Sequence, residues 1–402
     1  MHKPLIYAAI RSPRARAKTT GALHSLSAQE LLAQLYRGLL SRSGLESRQL
    51  EEVVLGCVTQ QGEQAGNIAR SSVLFAGLPE TVAGLTVQRY CSSGIDALAI
   101  AALKVQAGIM RCAVAGGVEM MSRVPMLSDG PRIFTDTDFS RKCKTLLMGS
   151  GADLVATVHN VSREEADAVA LRSQTLAAKA QDAGYLKTSM LDIKTMTGVA
   201  DRDECIRRET DSESLAALPP AFAALGSTGI DDFQLNSHAG LSAISHIHTA
   251  GNSPAMADAA GLLLIGTPEL AESLSVDARA RIVDSTTATD DPLQVLTGCI
   301  AATQELMRKN QLEVSDIDLF EIHEAFAATI VVAQRKLGIP GEKLNVNGGV
   351  IALGHPMGAT GALMAISLLD EMERRGVRRG IVAAAGAAGS GSALLLDRET
   401  LD

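Results

Sequence analysis

Residues 91–107 read Cys91-Ser-Ser-Gly-Ile-Asp-Ala-Leu-Ala-Ile-Ala-Ala-Leu-Lys-Val-Gln-Ala107. After the small opening residues the segment is apolar on nearly every side, which predicts a buried helix rather than an amphipathic surface helix. Gly108 is the residue type that ends such a helix. A second segment, Gly358–Arg375, repeats this design: it opens with Gly-Ala-Thr-Gly, is apolar all round and is followed by Gly376.

The surroundings of the two buried helices also match. Each helix is followed by an apolar strand that ends in glycines, at Gly116-Gly117 after the first and at Gly386 and Gly389 after the second. Two similar supersecondary units in one chain indicate an internal duplication. We therefore predict a duplicated α/β unit, with one copy in each half of the chain.

Apolar, strand-like runs alternate with helical patterns along the whole sequence, which is typical of an α/β fold. These runs are Leu5–Ile10, Val53–Val58, Leu85–Tyr90, Ala113–Ala115, Arg281–Val283, Leu319–Ile322, Ile381–Ala385 and Ala393–Leu396. Residues 122–248 are richer in charge and in turn residues and contain a predicted helix at Arg163–Gln181. We predict an N-terminal half at 1–121 and 249–280, an inserted loop domain at 122–248 that covers the site, and a C-terminal half at 281–402.

Composition excludes several classes of function. The 402 residues carry a net charge of -8 and no Lys/Arg-rich run, so binding of nucleic acid through a basic surface is not expected. The six cysteines form no C-x-x-C pair, which fits a reducing, cytoplasmic compartment. The longest uncharged run, 344–369, is too polar and too rich in glycine to span a membrane. Residues 1–29 lack acidic side chains, as transit peptides do, but Leu5–Ile10 is better explained as an opening strand.

Cys91 lies where a predicted strand turns into a buried helix. A lone cysteine at a helix start is more often a small buried apolar residue, but the following Ser-Ser-Gly permits close approach of a substrate. The positive helix end is expected to lower the pKa of the thiol. His323 ends the Leu319–Ile322 strand and His355 precedes the second buried helix, so a duplicated fold predicts that both lie at one crevice with Cys91.

Two other patterns give weaker evidence for a functional site. His246-x-His248, with His238 nearby, lacks an Asp, Glu or Cys at ligand spacing, so no metal site is predicted. The glycine-rich stretches Asn345-Val-Asn-Gly-Gly and Gly386-Ala-Ala-Gly-Ser-Gly391 could offer backbone N–H groups to an oxyanion. Neither stretch matches a phosphate-binding loop or a dinucleotide-binding fingerprint.

Several motifs, in order along nearly the whole chain, resemble those of the thiolases. They are Val87-Gln-Arg-Tyr-Cys-Ser-Ser-Gly-Ile-Asp-Ala-Leu98, Ala115-Gly-Gly-Val-Glu-Met-Met-Ser122, Met148-Gly, Ser162-Arg-Glu-Glu, Thr249-Ala-Gly-Asn252, His323-Glu-Ala-Phe-Ala327 and Asn345-Val-Asn-Gly-Gly-Val-Ile-Ala-Leu-Gly-His-Pro-Met-Gly358. The resemblance implies two βαβαβαββ halves that form a five-layered αβαβα core with a loop domain over the site. It also implies a homodimer or homotetramer. In having histidine at position 323, the sequence is more similar to the long-chain 3-ketoacyl-CoA thiolases of fatty-acid β-oxidation than to the acetoacetyl-type thiolases, which usually have asparagine there.

The resemblance assigns roles to particular residues. Cys91 would take the acyl group, His355 would remove its proton, and His323 would hold a catalytic water. The backbone N–H groups of Cys91 and Ala387 would form an oxyanion hole. Coenzyme A would be a substrate, with no further cofactor and no metal, and it would contact Met148, Ser253, Ala325 and Phe326.

The sequence departs from the thiolase pattern at one position with direct chemical consequences. Thiolases carry a second catalytic cysteine in C-x-G-G-G-x-G near the C-terminus, and the corresponding residue here is Ala385. An alanine side chain cannot transfer a proton, so carbon–carbon bond cleavage is expected to be impaired. Further departures are Pro219 and Pro254 in the coenzyme A region and an insertion between Phe222 and His248.

Three functional hypotheses follow from these residues. The leading one is a thiolase-family acyltransferase that acts on acyl- or 3-ketoacyl-CoA through Cys91 and His355. The second is a Cys-His-His condensing enzyme, built from Cys91, His323 and His355, in which decarboxylation of the substrate generates the carbanion. The third is a non-catalytic homologue that binds acyl-CoA.

Overall fold

A computed structural model of the chain describes residues 2–399. The first residue of the predicted N-terminal half, Met1, and the last three of the predicted C-terminal half, 400–402, lie outside the described residues. The strands are β1 Leu5–Arg11, β2 Ala15–Arg16, β3 Glu52–Gly56, β4 Ala83–Val87, β5 Cys112–Met120, β6 Ile193–Thr195, β7 Gly198–Ala200, β8 Ala257–Gly266, β9 Ala280–Thr289, β10 Leu319–Ile322, β11 Arg379–Ala385 and β12 Ser390–Asp397. The helices are α1 Ala28–Ser43, α2 Ile68–Phe75, α3 Ser93–Gln106, α4 Arg132–Thr135, α5 Thr137–Lys142, α6 Met148–Val158, α7 Arg163–Asp182, α8 Ser212–Ala216, α9 Ala223–Leu225, α10 Asp231–Ser237, α11 Gly298–Lys309, α12 Ala327–Leu337, α13 Val350–Leu353 and α14 Met357–Arg375.

The strand pairing confirms the duplication. The main sheet has the order β10-β11-β12-β9-β1-β8-β5-β3-β4, with β2 paired to β8. In the first half β3 pairs in parallel with β5, which pairs antiparallel with β8; in the second half β10 pairs in parallel with β11, which pairs antiparallel with β12. Leu344 makes a single parallel bridge to β10, in the position that β4 occupies beside β3. The two halves join through a short pairing of β1 with β9.

The two buried helices form the middle layer of the molecule. Small residues allow α3 and α14 to approach closely: a Cβ added at Gly94 would lie 2.6 Å from the backbone nitrogen of Ala362, and one at Gly361 would lie 2.6 Å from that of Ile95. One apolar cluster contains both helices and the inner faces of both sheet halves. The helices α1 and α2 cover the outer face of the first half, and α11 and α12 cover that of the second. This is the predicted five-layered αβαβα core.

Each predicted strand is present, and β1 confirms the opening strand. The strand β8 is not predicted from the sequence, because its segment Ala-Asp-Ala-Ala-Gly-Leu-Leu-Leu-Ile-Gly contains a single β-branched residue. Propensity for such a segment does not favour a strand, and its position between β1 and β5 decides its conformation. Across residues 2–399 the structure contains no helix that is both long and apolar enough to cross a lipid bilayer.

Candidate active site

Cys91 lies in the turn between β4 and α3. The preceding residue, Tyr90, has φ 50°, a left-handed conformation that is unfavourable for a bulky side chain. The turn is fixed by the buried Ser92, whose Oγ donates a 2.7 Å hydrogen bond to the carbonyl of Ala384 in β11. The first half therefore positions the thiol directly beside the second half of the molecule.

His355 faces Cys91 across the two halves. It follows Gly354, whose φ of 99° requires glycine, and its Nε2 lies 3.0 Å from the Cys91 Sγ. Its Nδ1 lies 2.8 Å from Thr360 Oγ1, one turn into α14. When Nε2 accepts the thiol proton, Nδ1 carries the ring hydrogen and donates to Thr360. Thr360 therefore orients the imidazole as an acceptor for the thiol.

His323 completes the group at the end of β10. Its ring lies 4.7 Å from the His355 ring, between centroids, and is almost completely buried. Neither ring nitrogen has a hydrogen-bond partner among the residues that the structure describes. Burial lowers the pKa of His323 to about 4, although the neighbouring backbone of Ala385 favours the protonated form. His323 is thus a neutral imidazole with unsatisfied polar atoms next to Ala385.

Burial controls the protonation of the Cys91–His355 pair. It raises the pKa of the Cys91 thiol to about 12, and the charge of Glu119 adds to this effect. Burial together with the nearby His323 holds the pKa of His355 well below its usual value. The expectation that the helix end lowers the thiol pKa is therefore wrong, because burial and the charge of Glu119 outweigh the backbone hydrogen bond that favours the thiolate. The pair rests as a neutral thiol and a neutral imidazole.

Glu119, at the end of β5, holds the segments around this pair. Its buried carboxylate accepts hydrogen bonds from the backbone N–H groups of Gly358 at 2.8 Å and of Val58 and Thr59 at 3.0 Å. These bonds connect the loop after β3 with the start of α14, close to His355. Burial nevertheless raises the pKa of Glu119. Sequence reasoning missed both Glu119 and Thr360, because their roles depend on contacts between the halves.

A cavity of about 50 Å³ opens onto Cys91. Met148 and Ala387 line it, so the structure brings both of these predicted site residues to the thiol. The turn that contains Ala387 closes with a hydrogen bond from Gly386 N–H to Ser390 O at 2.7 Å, and Ala388 within it has φ 56°. Most other lining side chains are apolar, which is typical of a site for a small molecule.

The remaining predicted contacts lie together around Phe326. The N–H of Ala327, the residue after Phe326, donates to the carbonyl of Asn252, the residue before Ser253, at 3.2 Å, so the two segments meet at this point. The Ser253 Oγ is buried without a hydrogen-bond partner among the described residues. Phe222, which sequence reasoning did not assign to the site, packs edge to face on Phe326 with centroids 5.8 Å apart. A Cβ added at Gly149 would collide with the Phe222 ring, so Phe222 also contacts the start of α6.

The histidines of the inserted segment bind carboxylates. His246 contacts Asp153 and Asp231 through its two ring nitrogens, at 2.8 and 3.0 Å. Burial opposes charge on His246, but the two carboxylates raise its pKa. His248 Nδ1 lies 2.7 Å from Asp153, and His238 pairs with Asp291. Within residues 2–399 no set of histidine, cysteine and acidic side chains has the arrangement of a metal site.

Two protein-family models match this chain, one in each half. Residues 5–234 match the thiolase N-terminal domain and residues 276–398 match the thiolase C-terminal domain. The chain belongs to the thiolase family. It is 35% identical to a 3-ketoacyl-CoA thiolase of Aliivibrio fischeri and 36% identical to a 3-oxoadipyl-CoA/3-oxo-5,6-dehydrosuberyl-CoA thiolase of Escherichia coli, in alignments that cover 99% of this chain and 100% of each relative.

A solved structure supports the same assignment. The acetyl-CoA acetyltransferase of Bacillus anthracis superposes with a TM-score of 0.85 over 99% of both chains, at 34% identity. The predicted thiolase fold and enzyme class are thus confirmed, and this thiolase is an acyltransferase. The exact domain boundaries and the roles of individual site residues stay predictions.

Proposed function

We propose that this thiolase transfers acyl groups between coenzyme A thioesters, with 3-ketoacyl-CoA as the substrate class. The observation that carries the proposal is the 3.0 Å contact between Cys91 Sγ and His355 Nε2. With a simple acyl-CoA, Sγ attacks the thioester carbonyl and its proton moves to Nε2. The thiol of coenzyme A then leaves with that proton, and the acyl group remains on Cys91. With a 3-ketoacyl-CoA, Sγ attacks the 3-keto carbonyl instead, and the carbon–carbon bond breaks to release acetyl-CoA as its enolate, which needs a proton at the α-carbon.

The surrounding residues supply binding and charge stabilisation in this proposal. The backbone N–H groups of Cys91 and Ala387 stabilise the oxyanion, and His323 orients a water through its unpartnered nitrogens. Coenzyme A is a substrate, and no other cofactor takes part. Its pantetheine chain contacts Met148, Ser253, Ala325 and Phe326, for which the unpartnered Ser253 Oγ is support.

Alanine at position 385 is expected to affect the two half-reactions differently. Cleavage or formation of a carbon–carbon bond needs a group that gives or takes a proton at the α-carbon, and the Ala385 methyl group cannot do so. Acylation of Cys91 by a simple thioester needs no such group. We therefore propose that acylation is retained and thiolysis is depressed, in a cytoplasmic enzyme of fatty-acid metabolism.

Acylation of Cys91 is the test of the proposed function. Incubation with acetyl-CoA is expected to add one acetyl mass to the intact protein, on a peptide that contains Cys91. The Cys91→Ala variant should gain no mass, and the half-buried Cys143 serves as an internal control for unspecific labelling. Absence of the adduct in the wild type would favour the non-catalytic acyl-CoA-binding hypothesis, and labelling of another cysteine would contradict the role of Cys91.

The second candidate function is decarboxylative condensation. The observation in its favour is the buried His323, which lies beside His355 and has two unpartnered nitrogens next to Ala385. The neutral imidazole of His323 can donate a hydrogen bond to an enolate that forms when carbon dioxide leaves. This chemistry needs no base for the α-carbon, so alanine at position 385 would not impair it.

We further propose that the enzyme is a homodimer or homotetramer. The strand β4 is at one end of the sheet and its residues are half-exposed or exposed, unlike the buried neighbouring strand β3. An exposed strand edge is normally covered, and pairing of two β4 strands would cover it. Light scattering at micromolar concentration is expected to give at least twice the 42.0 kDa of one chain. A particle of one chain's mass would contradict the proposal.

A further inference from the structure

A second cavity lies beside the one at Cys91. It has a volume of about 330 Å³, and its walls come from residues 133–147 and from the inserted segment at 225–233. Phe134 lines both cavities. Leu147 lines the second cavity, whereas the next residue, Met148, lines the first. One aromatic ring and the start of α6 thus separate the space at the thiol from the space beyond it.

The ring of Phe134 is fixed by contacts at the first cavity. It packs edge to face on the ring of Tyr90, with centroids 5.9 Å apart and an interplanar angle of 71°. Its backbone N–H donates to the carbonyl of Pro131 at 2.9 Å. Tyr90 is the residue before Cys91, so the position of the Phe134 ring is coupled to the turn that holds the thiol.

The second cavity is suited to hydrocarbon. Its apolar lining residues are Ile133, Phe134, Leu146, Leu147, Leu225, Ile230 and Phe233. Its polar lining residues are Thr137, Ser140, Arg141, Thr145 and Thr228. The hydroxyl groups of Ser140, Thr145 and Thr228 donate to backbone carbonyls and are not free to donate to a ligand. The guanidinium of Arg141 belongs to an exposed side chain at the rim. A chain that passes Phe134 from Cys91 would therefore enter a mainly apolar space.

We propose that the second cavity receives the distal part of a long, unbranched acyl chain and that Phe134 determines chain-length specificity. This inference rests on the proposed acylation of Cys91 and names the substrate class for that site. Short acyl groups occupy the first cavity alone. Longer chains displace the Phe134 ring and extend to the inserted segment, where each buried methylene strengthens binding by about fourfold.

The first test measures binding without acylation. The chain contains no tryptophan, so Phe233→Trp in a Cys91→Ala background introduces a single indole into the wall of the second cavity. Lauroyl-CoA is expected to shift its emission to shorter wavelength, whereas acetyl-CoA and free coenzyme A should not. No shift with lauroyl-CoA would overturn the proposal. A larger response to adipyl-CoA, which ends in a carboxylate, would also overturn it and point to Arg141. Because this readout needs no acyl transfer, it can fail or succeed independently of the proposed function.

The second test measures selectivity. Phe134→Ala is expected to raise the ratio of lauroyl to acetyl transfer onto Cys91 by about 16-fold, the worth of two buried methylenes. Phe139→Ala removes the same ring from the adjacent helix α5, lines neither cavity and should leave the ratio unchanged. An unchanged ratio in Phe134→Ala, with acetyl transfer intact, would overturn the role of Phe134.

Discussion

Ala385→Cys is expected to raise the rate of 3-ketoacyl-CoA thiolysis by at least about 10²-fold, the range typical of a positioned general acid or base. Ala385 is completely buried at the end of β11, and its backbone lies beside the His323 ring. A thiol at this position would be next to the group formed by His323, His355 and Cys91. It could give a proton to the enolate that leaves when the carbon–carbon bond breaks.

The rate of Cys91 acylation by acetyl-CoA is the internal reference for this experiment. It should change little in Ala385→Cys, because the first half-reaction needs no proton at carbon. Ala384→Cys is the matched control: it adds the same sulfur one residue earlier in β11, on the opposite face of the strand, within the middle-layer cluster. Ala385→Ser supplies similar volume without a thiol and should not restore thiolysis.

Two other outcomes of this experiment would change the proposed function. Efficient thiolysis by the wild type would mean that another group, such as His323 or a bound water, supplies the proton. No gain in Ala385→Cys, together with decarboxylation of malonyl-CoA by the wild type, would favour the Cys-His-His condensing enzyme over thiolysis.

The architecture could be predicted from the sequence, because it depends on local patterns of apolar and small residues. A helix without a polar face must be buried, and two such helices with small residues at their starts predict a middle layer. The close contacts at Gly94 and Gly361 are the physical reason for those small residues. The strand β8 was missed, because an alanine- and leucine-rich segment has no intrinsic preference that distinguishes a buried strand from a helix.

Part of the site could be predicted from the sequence, because some of its residues lie at the ends of helices and strands. Cys91, His323 and His355 are at element ends, so their convergence follows from topology, and the structure brings them together. Thr360 and Glu119 act through contacts across the two halves, which no local pattern encodes. The thiol pKa was predicted in the wrong direction, because the helix end is visible in the sequence but the loss of water around Cys91 is not.

His355→Ala is expected to slow alkylation of the Cys91 thiol by iodoacetamide at neutral pH by about 10²–10⁴-fold, because it removes the general base. Burial raises the pKa of the Cys91 thiol to about 12, so the unassisted thiol is almost entirely protonated at neutral pH. In the proposed reaction the proton instead passes to His355 Nε2, which lies 3.0 Å from Cys91 Sγ, as the sulfur attacks. The measurement is the rate of iodoacetamide alkylation of the Cys91 peptide, with the Cys143 peptide as internal reference.

The pH profile distinguishes loss of the base from structural damage. The pKa of His355 is well below its usual value, so the wild-type base is already free of its proton at neutral pH and the rate should be nearly constant as pH rises from there. In His355→Ala the reactive species is the free thiolate, whose population rises about tenfold per pH unit below the thiol pKa, so the rate should rise in proportion. Thr360→Val keeps the base but removes its orienting partner, and should lower the rate without changing the shape of the wild-type profile. If His355→Ala retained a flat profile, the helix end alone would activate Cys91 and His355 would not be the base.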